Sequence, residues 1–265
     1  MHYDCVIDNH MKSTFPYYGG RYNQIKKIIE LLEPVKENFD VIVDVFGGSG
    51  KVILNIPEEW HKIKVYNDLN KDLYTTFKVL QDGRKRRLLE RKLANCFPHE
   101  TIFKELKMSS PRNDVDVAFK VIYMHTFSFA GNGDAFKRFY KRANVPPMRI
   151  ENFLLVKKWI VENMDFRSLM ERYNRPRVLL YLDPPYLRGG KIYKHSFKLE
   201  DFKDLKGLMD KHTGTYLMNL SMRDLEMIDI FGGPDLVTEH HRPTTLHNSE
   251  GNNRWECGYW WRFLL

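Results

Sequence analysis

Val41-Ile-Val-Asp-Val-Phe46 runs directly into Gly47-Gly48-Ser49-Gly50, and Lys51-Val-Ile-Leu-Asn55 follows without a break. The first run is β-branched and of strand length, so it predicts a strand buried on both faces; the second is a glycine turn, and the third has a helix-compatible pattern. Upstream, Ile25, Ile28, Ile29 and Leu32 recur at spacings of three and four, which predicts an amphipathic helix over 22–33 that ends before Pro34. Downstream, Ile63-Lys-Val-Tyr66 predicts a second strand, closing at Asn67-Asp68-Leu69-Asn70. Strand, turn, helix and strand form a βαβ unit.

The same pattern returns late in the chain. Arg177-Val-Leu-Leu-Tyr-Leu182 predicts a third buried strand ending in Asp183-Pro184-Pro185-Tyr186, with a helix at about 199 to 212 and strands at 215 to 220 and 259 to 264. Between the two halves, basic residues alternate with helical apolar ones. The expected fold is therefore α/β, a doubly wound Rossmann-like sheet with a mostly helical insertion. The expected division is 1–70 plus 165–265 for the sheet domain and 71–164 for the insertion. In such sheets ligands bind outside the carboxyl ends of the strands, so all three motif turns open onto one edge.

Composition narrows the setting. With 265 residues, 43% hydrophobic content and a net charge of +8, the chain can bury a full core. Cys5, Cys96 and Cys257 lie far apart and form no ligand-spaced pair, which argues against a disulfide framework and a structural zinc site and favours a reducing, cytoplasmic setting. No apolar run nears the ~20 residues that span a bilayer, and the N-terminus lacks a signal peptide's apolar stretch. Neither secretion nor a membrane is expected. A pI near 9.2 favours polyanionic partners, because lysine and arginine release the counterions condensed on phosphates. None of the ten histidines has a metal-ligand spacing; His10, His240 and His241 read as surface or packing residues, and Trp255, Trp260 and Trp261 as core beneath the last strand.

Two motifs carry chemistry. Gly47-Gly48-Ser49-Gly50 lacks the Lys-Ser/Thr ending of a triphosphate loop and the G-x-G-x-x-G spacing of a dinucleotide fold, which leaves a smaller nucleoside. Asp68, about 20 positions on, suits the hydroxyls of a ribose, although an ordinary glycine turn with a loop aspartate has the same spacing. In Asp183-Pro184-Pro185-Tyr186 two prolines fix φ and remove two amide donors, so the Asp183 carboxylate, the Pro184 carbonyl and the Tyr186 ring are what the turn presents. Two acceptors and an aromatic face suit a planar base with an exocyclic amino group; a stiffened turn with a surface tyrosine is the plain alternative.

With these motifs in this order, the chain resembles the Dam-type DNA adenine-N6 methyltransferases, in which a glycine-rich motif precedes the recognition insertion and D-P-P-Y follows it. The resemblance implies S-adenosyl-L-methionine as cofactor. It also implies cofactor contacts at Tyr17, Gly19, Gly20 and Arg21, at Asp44, Phe46, Gly47, Gly48 and Gly50, at Asp68 for the ribose, and at Asp165 and Phe166 for the adenine. Asp183, Pro184, Pro185 and Tyr186 take the catalytic positions. Tyr193, Phe197, Asp201 and Asn219-Leu-Ser221 keep the family's order after that turn, with Phe197 a second wall for the target base.

The implied reaction moves methyl from S-adenosylmethionine to an adenine flipped out of double-stranded DNA, with Arg84, Lys85, Arg86, Arg87, Lys137, Arg138, Lys141 and Arg142 gripping phosphates. Two departures limit the carry-over. Arg21 stands where the family has lysine, and Phe127-Ser-Phe-Ala-Gly-Asn-Gly133 only faintly echoes the Dam target-reading hairpin, so GATC specificity is not implied. An RNA adenine or DNA cytosine-N4 methyltransferase, and a DNA-binding module without catalysis, are the alternatives. A cognate restriction endonuclease is the protein partner considered; no metal is implied.

Overall fold

Seven strands form one sheet in the order β3-β2-β1-β4-β5-β7-β6. The computed structural model describes residues 12–17, 22–137, 150–187, 197–222, 226–241 and 254–263. The strands are β1 (Val41–Asp44), β2 (Ile63–Asn67), β3 (Ile160–Glu162), β4 (Val178–Leu182), β5 (Thr215–Ser221), β6 (Leu236–His241) and β7 (Arg254–Arg262). β3, β2, β1, β4 and β5 run parallel, whereas β7 is antiparallel to both β5 and β6. Strand order turns from falling to rising between β1 and β4, and this reversal opens the crevice in which a doubly wound sheet holds its ligand.

Alternation along the strands separates two faces. Val178, Leu180 and Leu182 share a core with α7 (Phe166–Arg172), α8 (Leu199–Lys211) and α9 (Glu226–Phe231). Leu179 and Tyr181 point the other way, onto Ile28 and Leu32 of α1 (Tyr22–Leu32) and Val52 of α2 (Lys51–Asn55). All five β4 side chains are buried, as the unbroken apolar run required. Burial of one such leucine is worth about 1.5–3 kcal/mol, so the central strands are the stable frame on which the loops are mounted.

Four helices follow β2: α3 (Lys71–Gln81), α4 (Gly83–Ala94), α5 (Glu100–Met108) and α6 (Asp114–Thr126). Asn70, Asp82 and Asn113 cap α3, α4 and α6 by accepting backbone N–H bonds, which explains the polar breaks between them. Leu73, Phe77, Leu89 and Ile122 share one core with Tyr66 of β2 and Val161 of β3, so the helices are built onto the sheet. The expected boundary at residue 164 cuts through that sheet, because β3 lies within 71–164 yet pairs with β2.

β3 and β6 were not anticipated. β3 has only three residues, too few to show a period, and β6 is an edge strand of mixed polarity, Leu-Val-Thr-Glu-His-His. The last strand starts at Arg254, five residues before the run expected at 259, since its first part is recognisable only by pairing with β6. Trp260 is buried on the α7–α9 face and Trp261 half-buried on the other.

Candidate active site

Three carboxylates stand at the carboxyl ends of three neighbouring parallel strands. Asp44 is the last residue of β1 and is in register with Tyr66 on one side and Tyr181 on the other. Asp68 and Asp183 lie two positions beyond those partners, just past the ends of β2 and β4. Asp44 is 2% exposed, and its Oδ1 has no hydrogen-bond partner among the described residues. Burial, reinforced by the charges of Asp183 and Asp68, pushes the Asp44 carboxyl well above the usual carboxylate range. A cationic group brought beside such a carboxyl would favour its charged form.

The glycine turn is tied down on all sides. Gly47 N–H donates to Asn67 O at 2.7 Å, Gly50 N–H donates to Gly47 O at 2.7 Å, and Tyr66 Oη donates to Gly48 O at 2.8 Å. Gly48 and Gly50 have φ of +52° and +66°, left-handed conformations that glycine adopts without strain. Gly48 N–H donates to Asp68 Oδ2 at 2.9 Å while Asp68 Oδ1 accepts from Asn70 N–H at 2.8 Å, so the acidic group is held against the turn from which it is separated by 20 positions. A carboxylate offers about four lone-pair sites, more than these two bonds use. Lys51, buried at the start of α2, has its ammonium lowered to about 8 by burial.

Asn67 joins three elements and was not singled out from the sequence. Its amide donates to Val45 O and Met164 O and accepts from Met164 N–H, tying β1, β2 and the entry to α7 together. The signal available was a polar residue closing an apolar strand directly before Asp68. Asp165 caps α7 through Arg167 N–H at 2.9 Å. Phe46, Phe166 and Phe197 form an aromatic triangle with centroid separations of 5.8, 5.4 and 5.1 Å, and the Arg167 guanidinium lies 4.4 Å from the Phe166 ring centre. Phe197 therefore packs with two residues read as cofactor contacts.

Tyr17 lies against the turn, 3.2 Å from where a Cβ on Gly48 would stand, and Thr14 Oγ1 donates to Ser49 O. His125 of α6 packs 4.7 Å from the Tyr17 ring centre, its Nδ1 2.8 Å from Gly131 O, and burial lowers its pKa. The stretch around it turns back on itself: Phe129 N–H donates to Ala135 O, Lys137 N–H donates to Phe127 O, and Ser128 bridges Phe136. The faint hairpin echo in the sequence is thus a real reversal, with Phe129 57% exposed.

In the D-P-P-Y turn Pro184 is buried, and Asp183, Pro185 and Tyr186 are half-buried. Asn219 Nδ2 donates to Asp183 Oδ1 at 3.3 Å. Of the basic residues, Arg84 and Arg87 are exposed on α4 and Lys137 is exposed after the hairpin. Lys85 is paired with Asp114, and Arg86 turns inward to Glu90 and Leu80 O. This makes Arg86 a structural link between α4 and α3. Gly19, Gly20, Arg21, Arg138, Lys141, Arg142 and Tyr193 lie outside the described residues.

Among the described residues no helix is long and apolar enough to cross a membrane, and no group of three or more His, Cys, Asp or Glu side chains could hold a metal ion. A doubly wound sheet with a glycine turn, Asp68 bonded to that turn and D-P-P-Y at one edge defines an enzyme of the Rossmann-like methyltransferase class. The chain belongs to the D12 class N6 adenine-specific DNA methyltransferases, whose family model matches residues 17–107 and 118–219; it is an enzyme that methylates adenine in DNA. The Type II methyltransferase M.CviBI of Paramecium bursaria Chlorella virus NC1A is 22% identical over 185 residues, 66% of this chain and 69% of its own length. A solved structure, the putative methyltransferase yhhF from Escherichia coli, aligns over 95% of this chain and 92% of its own with 12% identity and a TM-score of 0.37.

Proposed function

We propose that this enzyme takes its methyl group from S-adenosylmethionine and delivers it to N6 of an adenine turned out of duplex DNA into the cleft beside Asp183–Tyr186. The observation that carries the reading is the row of three carboxylates, Asp44, Asp68 and Asp183, at the ends of adjacent parallel strands around the glycine turn. The residues fit the donor: a buried Asp44 oxygen has no hydrogen-bond partner among the described residues and could face a cationic ligand, and the positive-φ glycines leave room for close approach of a nucleoside. When bound, S-adenosylmethionine supplies an electrophilic methyl group on a sulfonium. Asp44 would face its positive charge, Asp68 its ribose hydroxyls, and Phe46 and Phe166 its adenine ring.

Asp183 and the Pro184 carbonyl would accept the two N–H bonds of the target amino group. That draws its nitrogen away from planar conjugation and stabilises the positive charge that develops there during transfer. Alignment of the attacking nitrogen is the main contribution asked of the protein. Tyr186 would stack on the extruded base and offset part of the few kcal/mol that unstacking costs. Arg84 and Arg87 on α4, with Lys137 near the hairpin, would hold flanking phosphates, where contacts set register without reading sequence. The viral relative is a Type II methyltransferase, which favours a restriction-modification setting for this enzyme; a cognate endonuclease as partner and the cytoplasm as location belong to the proposal alone.

The test is Asp183→Ala. Titration calorimetry with S-adenosylmethionine and a fluorescence titration with duplex should give dissociation constants near those of the parent protein, while tritiated methyl transfer to DNA is lost. Near-normal turnover in this variant would overturn the assignment of Asp183.

A further inference from the structure

Behind Asp183 stand two buried polar side chains that the mechanism above does not use. Tyr181 is 1% exposed and Asn219 0% exposed. The parallel register of β4 and β5 sets Leu182 opposite Met218, which carries Asn219 level with Asp183. Tyr181 Oη donates to Asn219 Oδ1 at 2.5 Å, and Asn219 Nδ2 donates to Asp183 Oδ1 at 3.3 Å.

The order of donors matters. A phenol hydroxyl has one proton, and giving it to Asn219 Oδ1 defines which end of the amide is the acceptor. The amide nitrogen must then face Asp183. Were the amide reversed, its oxygen would confront a carboxylate oxygen, a contact that costs free energy in a buried setting. We propose that Asn219, oriented by Tyr181, is a positioning residue that fixes the rotation of the Asp183 carboxylate. With one oxygen held against β5, the direction of the other is set before the target base arrives. Asp44 of β1 stands at the same corner, its carboxyl raised in part by the charge of Asp183. The inference rests on the role of Asp183 given above.

Three variants test it under single-turnover conditions: Tyr181→Phe, Asn219→Asp and, as the reference for Asp183 itself, Asp183→Asn. Tyr181→Phe keeps the ring volume and removes only the hydroxyl. Asn219→Asp keeps the shape and an acceptor for Tyr181 but puts a like charge where the donor stood. Methyl transfer should slow about tenfold in Tyr181→Phe and about a hundredfold in Asn219→Asp, the range expected for losing a hydrogen bond to a charged group. Dissociation constants for S-adenosylmethionine and duplex should stay within about twofold, so the loss falls on the chemical step. The Asn219→Asp deficit should narrow as pH falls, because a proton shared by two adjacent carboxyls restores a donor.

A purely structural role predicts otherwise. Equal losses in binding and transfer, or a deficit that does not change with pH, would overturn the proposal, as would parental rates in both variants. Should Asn219→Asp fail to fold, the rate and binding split of Tyr181→Phe decides alone. If Asp183→Asn transfers methyl normally, the role of Asp183 falls and this inference with it; if it is inactive while Tyr181→Phe and Asn219→Asp are normal, only the positioning role fails.

Discussion

Alanine at Gly47 tests the packing of the glycine turn directly. A Cβ there would lie 2.3 Å from Tyr66 Cε2, 2.5 Å from Tyr66 Cδ2 and 2.9 Å from Asn67 O. None of these can easily yield. Tyr66 is fully buried, its ring centre is 4.2 Å from that of Phe77 and 6.2 Å from that of Trp159, and its hydroxyl is bonded to Gly48 O. Asn67 O is backbone and already accepts from Gly47 N–H. Overfilling a packed site typically costs 1–3 kcal/mol, and with a locked ring and a backbone atom as obstacles the upper part applies, about 2–3 kcal/mol. For a domain of this size that lowers the melting temperature by roughly 5–10 °C. The displaced turn should also weaken S-adenosylmethionine binding, since Gly48 N–H would no longer meet Asp68. Scanning calorimetry and a calorimetric titration measure both effects. An unchanged melting temperature together with an unchanged dissociation constant would show that the turn is not packed on Tyr66 as described.

Further expectations follow from the same geometry. Gly207→Ala, in the middle of α8 with nothing within 4 Å of the added Cβ, should raise stability by about 0.5–1 kcal/mol in chemical denaturation, and a loss of stability would contradict the open space there. Asp44→Asn should stabilise the donor-free protein at neutral pH while weakening donor binding. The sign follows from the raised carboxyl: its favourable contribution is complete below the unfolded value and is lost as pH rises through the folded one, and an amide never pays that ionisation cost. Melting curves at pH values below and above neutrality check this, with no gain at the higher pH counting against it. Arg84→Ala and Arg87→Ala should each weaken duplex binding uniformly across sequences and reduce the salt slope by about 1, whereas Arg86→Ala should lower stability and leave that slope unchanged.

Much of this site could be read along the chain because its signals are local. The Val41–Asp44 strand, the glycine turn, Asp68 and the D-P-P-Y corner are each written within a few consecutive residues. Their chemistry survives small errors in strand ends. The insertion's character was readable too, since Asp82 and Asn113 cap helices whose apolar faces recur at helical spacing. Arg86 was placed differently in space because a guanidinium carries no mark of its neighbours.

Periodicity and turn chemistry act between residues a few positions apart, so the order of motifs and the doubly wound class followed from the sequence. Contacts between distant residues depend on strand register and on which edges pair. That is why β3 joins the sheet from inside the expected insertion and β6 pairs with β7. It is also why Asn67 meets Met164 across 97 positions and Asn219 meets Asp183 across 36. The Asp44 carboxyl shows the difference most plainly: its identity is local, while the absence of a hydrogen-bond partner for its Oδ1 among the described residues and its raised pKa arise only when three strands bring their ends together and exclude water.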